Sequence, residues 1–229
     1  MTAEKARLAL FDLDHTLLPL DSDYAWGVFT TDIGWTDPHG FRQRNDDFFA
    51  HYQAGTLDIH DYTRFATEAV RLRGPQQAAE AHARFMHEVI RPVISPQAIE
   101  LVRHHQDRGE QVVIVTATNE FVTRPIADAF GVQELIAVEL ARDADGWITG
   151  EISGVPSFRE GKVSRVQRWL SDRGLDWDRA DVTFYSASTN DLPLLERANR
   201  PVATNPDPRL RAVALARGWR ILDLFPAEA

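Results

Sequence analysis

Hydrophobic positions along the chain keep two different rhythms. Leu8-Ala9-Leu10-Phe11 is an unbroken apolar run that stops at Asp12, the pattern of a strand buried on both faces of a parallel sheet. From Ser22 to Arg91 the apolar residues instead fall three and four apart, as in Phe41, Phe48, Phe49 and Tyr52, or Tyr62, Phe65, Ala69 and Leu72. That spacing predicts a bundle of helices. Gly34, Gly55 and the pairs Asp37-Pro38 and Gly74-Pro75 are placed to divide the bundle with turns.

Beyond Pro92 and Pro96 strand and helix alternate again. Helices are predicted over 97–108, 120–130, 162–172, 192–198 and 208–217, and strands over 112–115, 135–138, 182–185 and 201–203. The polar segment Asp143-Ala144-Asp145-Gly146, between strand-like flanks, predicts a hairpin or flap within 138–152. The expected fold class is α/β: a doubly wound parallel sheet formed by 1–18 and 92–229, interrupted early by a helical cap domain over 19–91.

Composition narrows the function. Hydrophobic residues make up 44% and charged residues 26% of 229, ordinary values for a globular protein. With 34 acidic against 25 basic residues the net charge is −9, which disfavours non-specific attraction to nucleic acid or an anionic membrane. A small molecule or a metal ion is the better partner. The first residues carry no long apolar stretch, and no window approaches the roughly 18 apolar residues of a spanning helix, so neither export nor membrane insertion is expected and the cytoplasm is the expected location. The absence of cysteine excludes disulfides, thiolate metal sites and cysteine nucleophiles. Oligomeric state is not readable from the sequence.

Four segments carry candidate chemistry, each where a strand ends or a helix begins. Phe11-Asp12-Leu13-Asp14-His15-Thr16 ends the first strand, and alternation brings Asp12 and Asp14 to one side, where two carboxylates call for a cation. An Asp-x-Asp pair also opens calcium loops, but Leu17 stands where such a loop needs glycine. Val112–Asn119 ends in Thr116, Thr118 and Asn119 just before a helix, an arrangement that suits an anion site, although taken alone Thr118 or Asn119 is more often a helix cap. Lys162 opens another helix; a lone lysine is ordinarily solvated. The fourth, Tyr185-Ser186-Ala187-Ser188-Thr189-Asn190-Asp191-Leu192-Pro193, again runs from strand to helix, and Asp191 there also suits a helix start.

Taken in this order, the four segments resemble the haloacid dehalogenase superfamily, in its phosphoserine-phosphatase-like branch with a helical cap between the first and second motifs. Asp12-Leu13-Asp14-His15-Thr16 matches the family's DxDx[TV], Thr116 its strand-end hydroxyl, Lys162 its third-motif lysine and Asn190-Asp191 the end of its fourth. The resemblance implies a phosphomonoesterase in which Asp12 attacks phosphorus to form an aspartyl-phosphate and Asp14 is general acid and then base. Thr116 and Lys162 would hold the phosphoryl oxygens. Mg2+ would bind at the Asp12 carboxylate, the Asp14 backbone carbonyl and Asp191. It also departs from the family: the first aspartate of the fourth motif is Ala187, so one metal ligand is missing, by engineering or by natural variation, and weakened activity is expected.

Substrate contacts are expected from Asp21, Thr118, Asn119 and Asn190. Asp21 coincides with the acidic residue that phosphoserine phosphatases direct at the substrate amine, although it, or nearby Asp23, also suits an N-cap. The arginine that would hold a serine carboxylate falls on Ala66, with Arg64 out of register. An amine-bearing phosphate without that carboxylate, such as histidinol phosphate, is therefore favoured over phosphoserine. Trp26, Trp35, Phe48 and Phe49 are expected as helix-packing core, the eight histidines lack zinc-ligand spacing, and His15 stands out only for lying between Asp14 and Thr16. A phosphotransferase or phosphomutase using the same intermediate, and a non-catalytic phosphate-binding protein, are the competing functions.

Overall fold

A computed structural model describes residues 5–225. Its main sheet has six parallel strands in the order β3-β2-β1-β6-β7-β8: β1 (Ala6–Phe11), β2 (Gln111–Asn119), β3 (Glu134–Val138), β6 (Ala180–Ser186), β7 (Arg200–Thr204) and β8 (Arg220–Leu222). β4 (Leu140–Arg142) and β5 (Ile148–Ile152) pair antiparallel, with Gly146 at positive φ in the turn the sequence predicts. Among the described residues eight α-helices accompany them: α1 (Ser22–Asp32), α2 (Gly40–Ala54), α3 (Ile59–Phe85), α4 (Pro96–Asp107), α5 (Glu120–Ala129), α6 (Glu160–Ser171), α7 (Leu192–Arg197) and α8 (Pro208–Arg217).

Each apolar run becomes a strand because it has two faces to bury. Ala9, Phe11, Val112 and Ile114 pack with Ala98 and Val102 of α4 and with Val122 and Ile126 of α5. Leu8, Leu10, Val113 and Val115 point to the opposite face, against Val166 and Leu170 of α6 and Leu194 and Leu195 of α7. From β1 the chain winds outward through β2 and β3, and later returns to β1 and winds the other way through β6, β7 and β8. Strand order thus reverses at β1 and β6, where parallel sheets open a crevice at their carboxyl ends.

The segment between β1 and β2 is helical, as the spacing predicts, but its apolar face divides between two tasks. Trp26 of α1 is buried against Phe29, Phe85, His82 and Phe121, and it belongs to the same apolar cluster as β1, α4 and α5. Phe41, Phe48 and Phe65 pack together farther out. At Gly74 the backbone leaves helical geometry, with φ 75° and ψ 171°, so the predicted Gly-Pro turn is a kink inside α3. Leu72, expected on the buried stripe, is exposed because it stands at this kink. The edge strand β8 is absent from the sequence-based expectation; three half-buried or exposed residues give no periodic pattern. Among the described residues no helix is long and apolar enough to cross a membrane.

Replacing Trp26 by alanine opens a large void beneath the helical segment. Trp26→Ala is expected to lose about 3–5 kcal/mol, measured as a lower denaturant midpoint at unchanged slope.

Candidate active site

Three strand ends and one helix start bring the predicted residues together. Asp12 follows β1, and its amide bonds the carbonyl of Tyr185 in β6. Lys162 arrives from the first turn of α6. That turn presses on the carbonyl of Pro156 so closely that a Cβ at Gly161 would lie 2.0 Å from it, which explains glycine before the lysine. Far from being solvated, Lys162 is 1% exposed. Its Nζ donates to Asp12 Oδ1 and to Asp191 Oδ2, both at 2.8 Å.

Ser186, which the sequence did not single out, donates from Oγ to Asp191 Oδ2 at 2.7 Å. Thr16 Oγ1 accepts from the amide of Ala187 at 3.0 Å and donates to Asp12 Oδ2 at 3.3 Å. Burial alone would neutralise Lys162, but the Coulombic pull of Asp12 and Asp191 outweighs it and keeps the ammonium charged. Two carboxylates against one ammonium still leave excess negative charge. Burial raises Asp12 above the usual carboxylate range despite Lys162, and raises Asp191 to about 6.

Asp14 faces the same space. Its Oδ1 accepts from the amide of Ser22 and its Oδ2 from Thr118 Oγ1, both at 2.8 Å. Burial first, and then the neighbouring Asp21, raise it to about 6; adjacency in sequence points to Asp12 as the perturbing charge, whereas the structure gives that part to Asp21. Asp21 N-caps α1 through the amide of Tyr24, the bland alternative, yet it also lines the cavity. Asp23 is buried beside Asn119 Nδ2 at 3.2 Å, and burial, Asp21 and Asp14 together lift its pKa well above the ordinary value.

These groups enclose a cavity of about 30 Å³ lined by Asp12, Asp14, Asp21, Asp23, Thr116 and Thr118 on one side. Phe48, Phe49, Tyr52 and Tyr62 from the helical segment close the other. A space of that size holds only a few water molecules, and a neighbouring groove of about 450 Å³ is lined by Asp14, Tyr52, Ala187 and Asn190. Phe48 and Phe49, expected as core, are walls of this cavity, although Phe48 also packs on Phe65; Trp26 is core. Tyr52 and Tyr62 were missed, and the signal that could have found them is the helical i, i+4 step from Phe48 to Tyr52.

Asn119 and Asn190 spend their side chains on protein contacts. Asn119 Oδ1 caps α5 at the amide of Val122. Asn190 Nδ2 donates to the carbonyl of Tyr52 at 3.0 Å, and its Oδ1 accepts from Arg159 Nε at 3.4 Å. Arg159 also bonds the carbonyl of Gly55, so Asn190 and Arg159 tie the catalytic rim to the α2–α3 corner. His15 is exposed with φ 57°; its carbonyl accepts from Asn205.

Metal-binding capacity follows from the donors left over. Asp12 Oδ2 accepts only the long bond from Thr16, and Asp191 Oδ1 has no hydrogen-bond partner among the described residues. Magnesium is commonly held by one or two carboxylates with waters and substrate phosphate completing its shell, so this pair with its excess negative charge fits the ion. The shell is nevertheless reduced: among the described residues no three acidic or histidine side chains converge in ligating geometry. Ala187 is buried with no carboxylate to offer.

Similarity to known proteins agrees with this chemistry. A profile of haloacid dehalogenase-like hydrolases matches residues 9–196. Histidinol-phosphatase from Neisseria meningitidis serogroup C (strain 8013) is 40% identical over 94% of this chain and 98% of its own length. Phosphoserine phosphatase SerB1 from Mycobacterium tuberculosis (strain ATCC 25618 / H37Rv) is 32% identical over 94% of this chain and 70% of its own. Among solved structures, a protein of unknown function from Bordetella pertussis Tohama I superposes with a TM-score of 0.90 at 51% identity, covering 96% of this chain and 100% of that one. A substrate-bound phosphoserine phosphatase superposes with a TM-score of 0.67 at 16% identity, over 97% and 94% of the two chains, a likeness of fold.

Removing the ammonium would leave two buried carboxylates face to face. Lys162→Met is expected to destabilise by about 3–5 kcal/mol at pH 8. The loss should shrink toward pH 5: without Lys162 the folded carboxylates bind protons more tightly than the unfolded ones, so stability falls as pH rises. Thermal unfolding at both pH values measures this.

Proposed function

The chain belongs to the haloacid dehalogenase-like hydrolases and is a phosphatase of that family, and on that premise we propose that it hydrolyses a small amine-bearing phosphomonoester through an aspartyl-phosphate on Asp12. The observation that carries this reading is the Lys162 bridge: the ammonium holds one oxygen of Asp12 at 2.8 Å and leaves the other with only the 3.3 Å bond from Thr16 Oγ1, in a residue that lines the cavity. A fixed, buried nucleophile beside a positive charge is what in-line attack on phosphorus requires.

Asp14, pushed up to about 6, keeps a proton on a fraction of molecules near neutral pH, gives it to the departing alkoxide and accepts one from the incoming water afterwards. Thr116, buried at the end of β2, and Lys162 stabilise the phosphoryl oxygens. Asp12, Asp191 and the Asp14 carbonyl are the residues to hold Mg2+, which when bound neutralises phosphate charge and aligns it with the nucleophile. Residues 19–91 act as the cap that excludes water. A phosphotransferase would need a second acceptor, and nothing in a cavity of about 30 Å³ favours one over water.

Substrate preference follows from the lining. Four carboxylates and five aromatic rings face the cavity, and none of its lining residues is arginine or lysine. Ala66 is buried, and Arg64 pairs with Asp61 and Glu151 on the surface. A substrate carboxylate would find no cation there, whereas an ammonium would find Asp21. Histidinol phosphate meets that description better than phosphoserine, in line with the name of the Neisseria relative. The cytoplasm remains the proposed location.

Three outcomes test this reading. Asp12→Asn should abolish phosphate release while leaving the thermal midpoint near that of the parent, since Lys162 keeps Asp191; retained turnover would contradict it. Ala187→Asp should raise magnesium-dependent activity about 100-fold or more, because a space of about 450 Å³ beside Ala187 leaves room for the carboxylate. In a panel of phosphomonoesters, histidinol phosphate should exceed phosphoserine in kcat/KM, and Asp21→Asn should erase most of that preference through KM.

A further inference from the structure

Thr118 was expected to touch the substrate, but its hydroxyl has another partner. It is 5% exposed and donates its one proton to Asp14 Oδ2 at 2.8 Å, while the amide of Ser22 holds Asp14 Oδ1 at the same distance. Two donors, one on each oxygen, fix the plane of a carboxylate. Thr118 is itself held: its amide donates to Thr116 Oγ1 at 3.1 Å, and the next residue, Asn119, caps α5 and reaches Asp23. The Asp14 carboxylate therefore hangs between the start of α1 and the end of β2.

The two donors differ in kind. Ser22 offers a backbone N–H, which cannot turn, whereas a hydroxyl rotates to suit its partner. We propose that Thr118 is a positioning residue that orients Asp14 for proton transfer, rather than a phosphate ligand. As Asp12 forms its bond to phosphorus and the ester P–O bond breaks, the Asp14 carboxyl proton passes to the leaving oxygen. When water then attacks phosphorus and the bond to Asp12 breaks, a water proton returns to Asp14. The inference rests on the reading of Asp14 as acid and base.

Leaving-group chemistry separates positioning from binding. Benzyl phosphate needs its alkoxide protonated, and 4-nitrophenyl phosphate expels a stable phenolate without help. With enzyme in excess and magnesium present, Thr118→Val should slow alcohol release from benzyl phosphate about tenfold or more. Release from 4-nitrophenyl phosphate should change less than about twofold, with KM for both esters little altered. Thr118→Ser should restore the benzyl rate; Thr118→Ala serves in place of valine if that variant fails to fold. Equal slowing on both esters, or a raised KM at unchanged kcat, would assign Thr118 to phosphate binding and overturn the proposal. Asp14→Asn provides the reference: if it shows leaving-group dependence and the Thr118 variants do not, only the inference falls, and if it shows none, the acid–base reading falls and takes the inference with it.

Discussion

One buried ammonium between two carboxylates organises this molecule. Lys162 crosses from α6 to the end of β1 and to the loop after β6, joining three parts of the chain that are distant in sequence. A lysine so deep is tolerated only when paired, so the strand ends must converge for the fold to be stable, and the same convergence builds the reactive centre. The two needs do not quite balance. Asp12 and Asp191 together exceed the charge of Lys162, and the surplus suits a divalent cation.

The helical segment completes the centre without forming a separate core. Trp26 and Phe85 belong to the apolar cluster beneath the sheet, while Phe48, Phe49, Tyr52 and Tyr62 form the ceiling of the cavity. Contacts from Asn190 and Arg159 to Tyr52 and Gly55 hold that ceiling onto the catalytic rim, and two of these four residues lie within a few positions of Lys162 and Asp191. The helical segment is thereby tied to the chain on either side of Lys162 and Asp191.

Strands were legible because a run buried on both faces has no polar alternation: β1, β2 and β3 carry such runs, whereas Asp181 and Thr183 interrupt β6 and β7 is short. β8 escaped it, being a three-residue edge. Asp12, Thr116, Lys162 and Asp191 were legible only jointly: each alone has a commoner explanation as a cap or a solvated side chain, and their order along the chain made the difference. Partners were not legible. Nothing in the sequence says that Thr118 serves Asp14, that Asn190 grips Tyr52, or that Ser186 supports Asp191, because such pairings depend on where strand ends meet. Helical spacing likewise identifies Phe48 and Tyr52 as buried without distinguishing a packed core from a cavity wall.

The central claim is that a phosphoryl group becomes attached to one particular carboxylate. Acid-quenching the enzyme during turnover with magnesium and a phosphomonoester, reducing it with borohydride, and sequencing the peptides by mass spectrometry would locate the acyl phosphate as homoserine. The account predicts homoserine at position 12 and an unmodified Asp14. Homoserine elsewhere, or none during confirmed turnover, would contradict it.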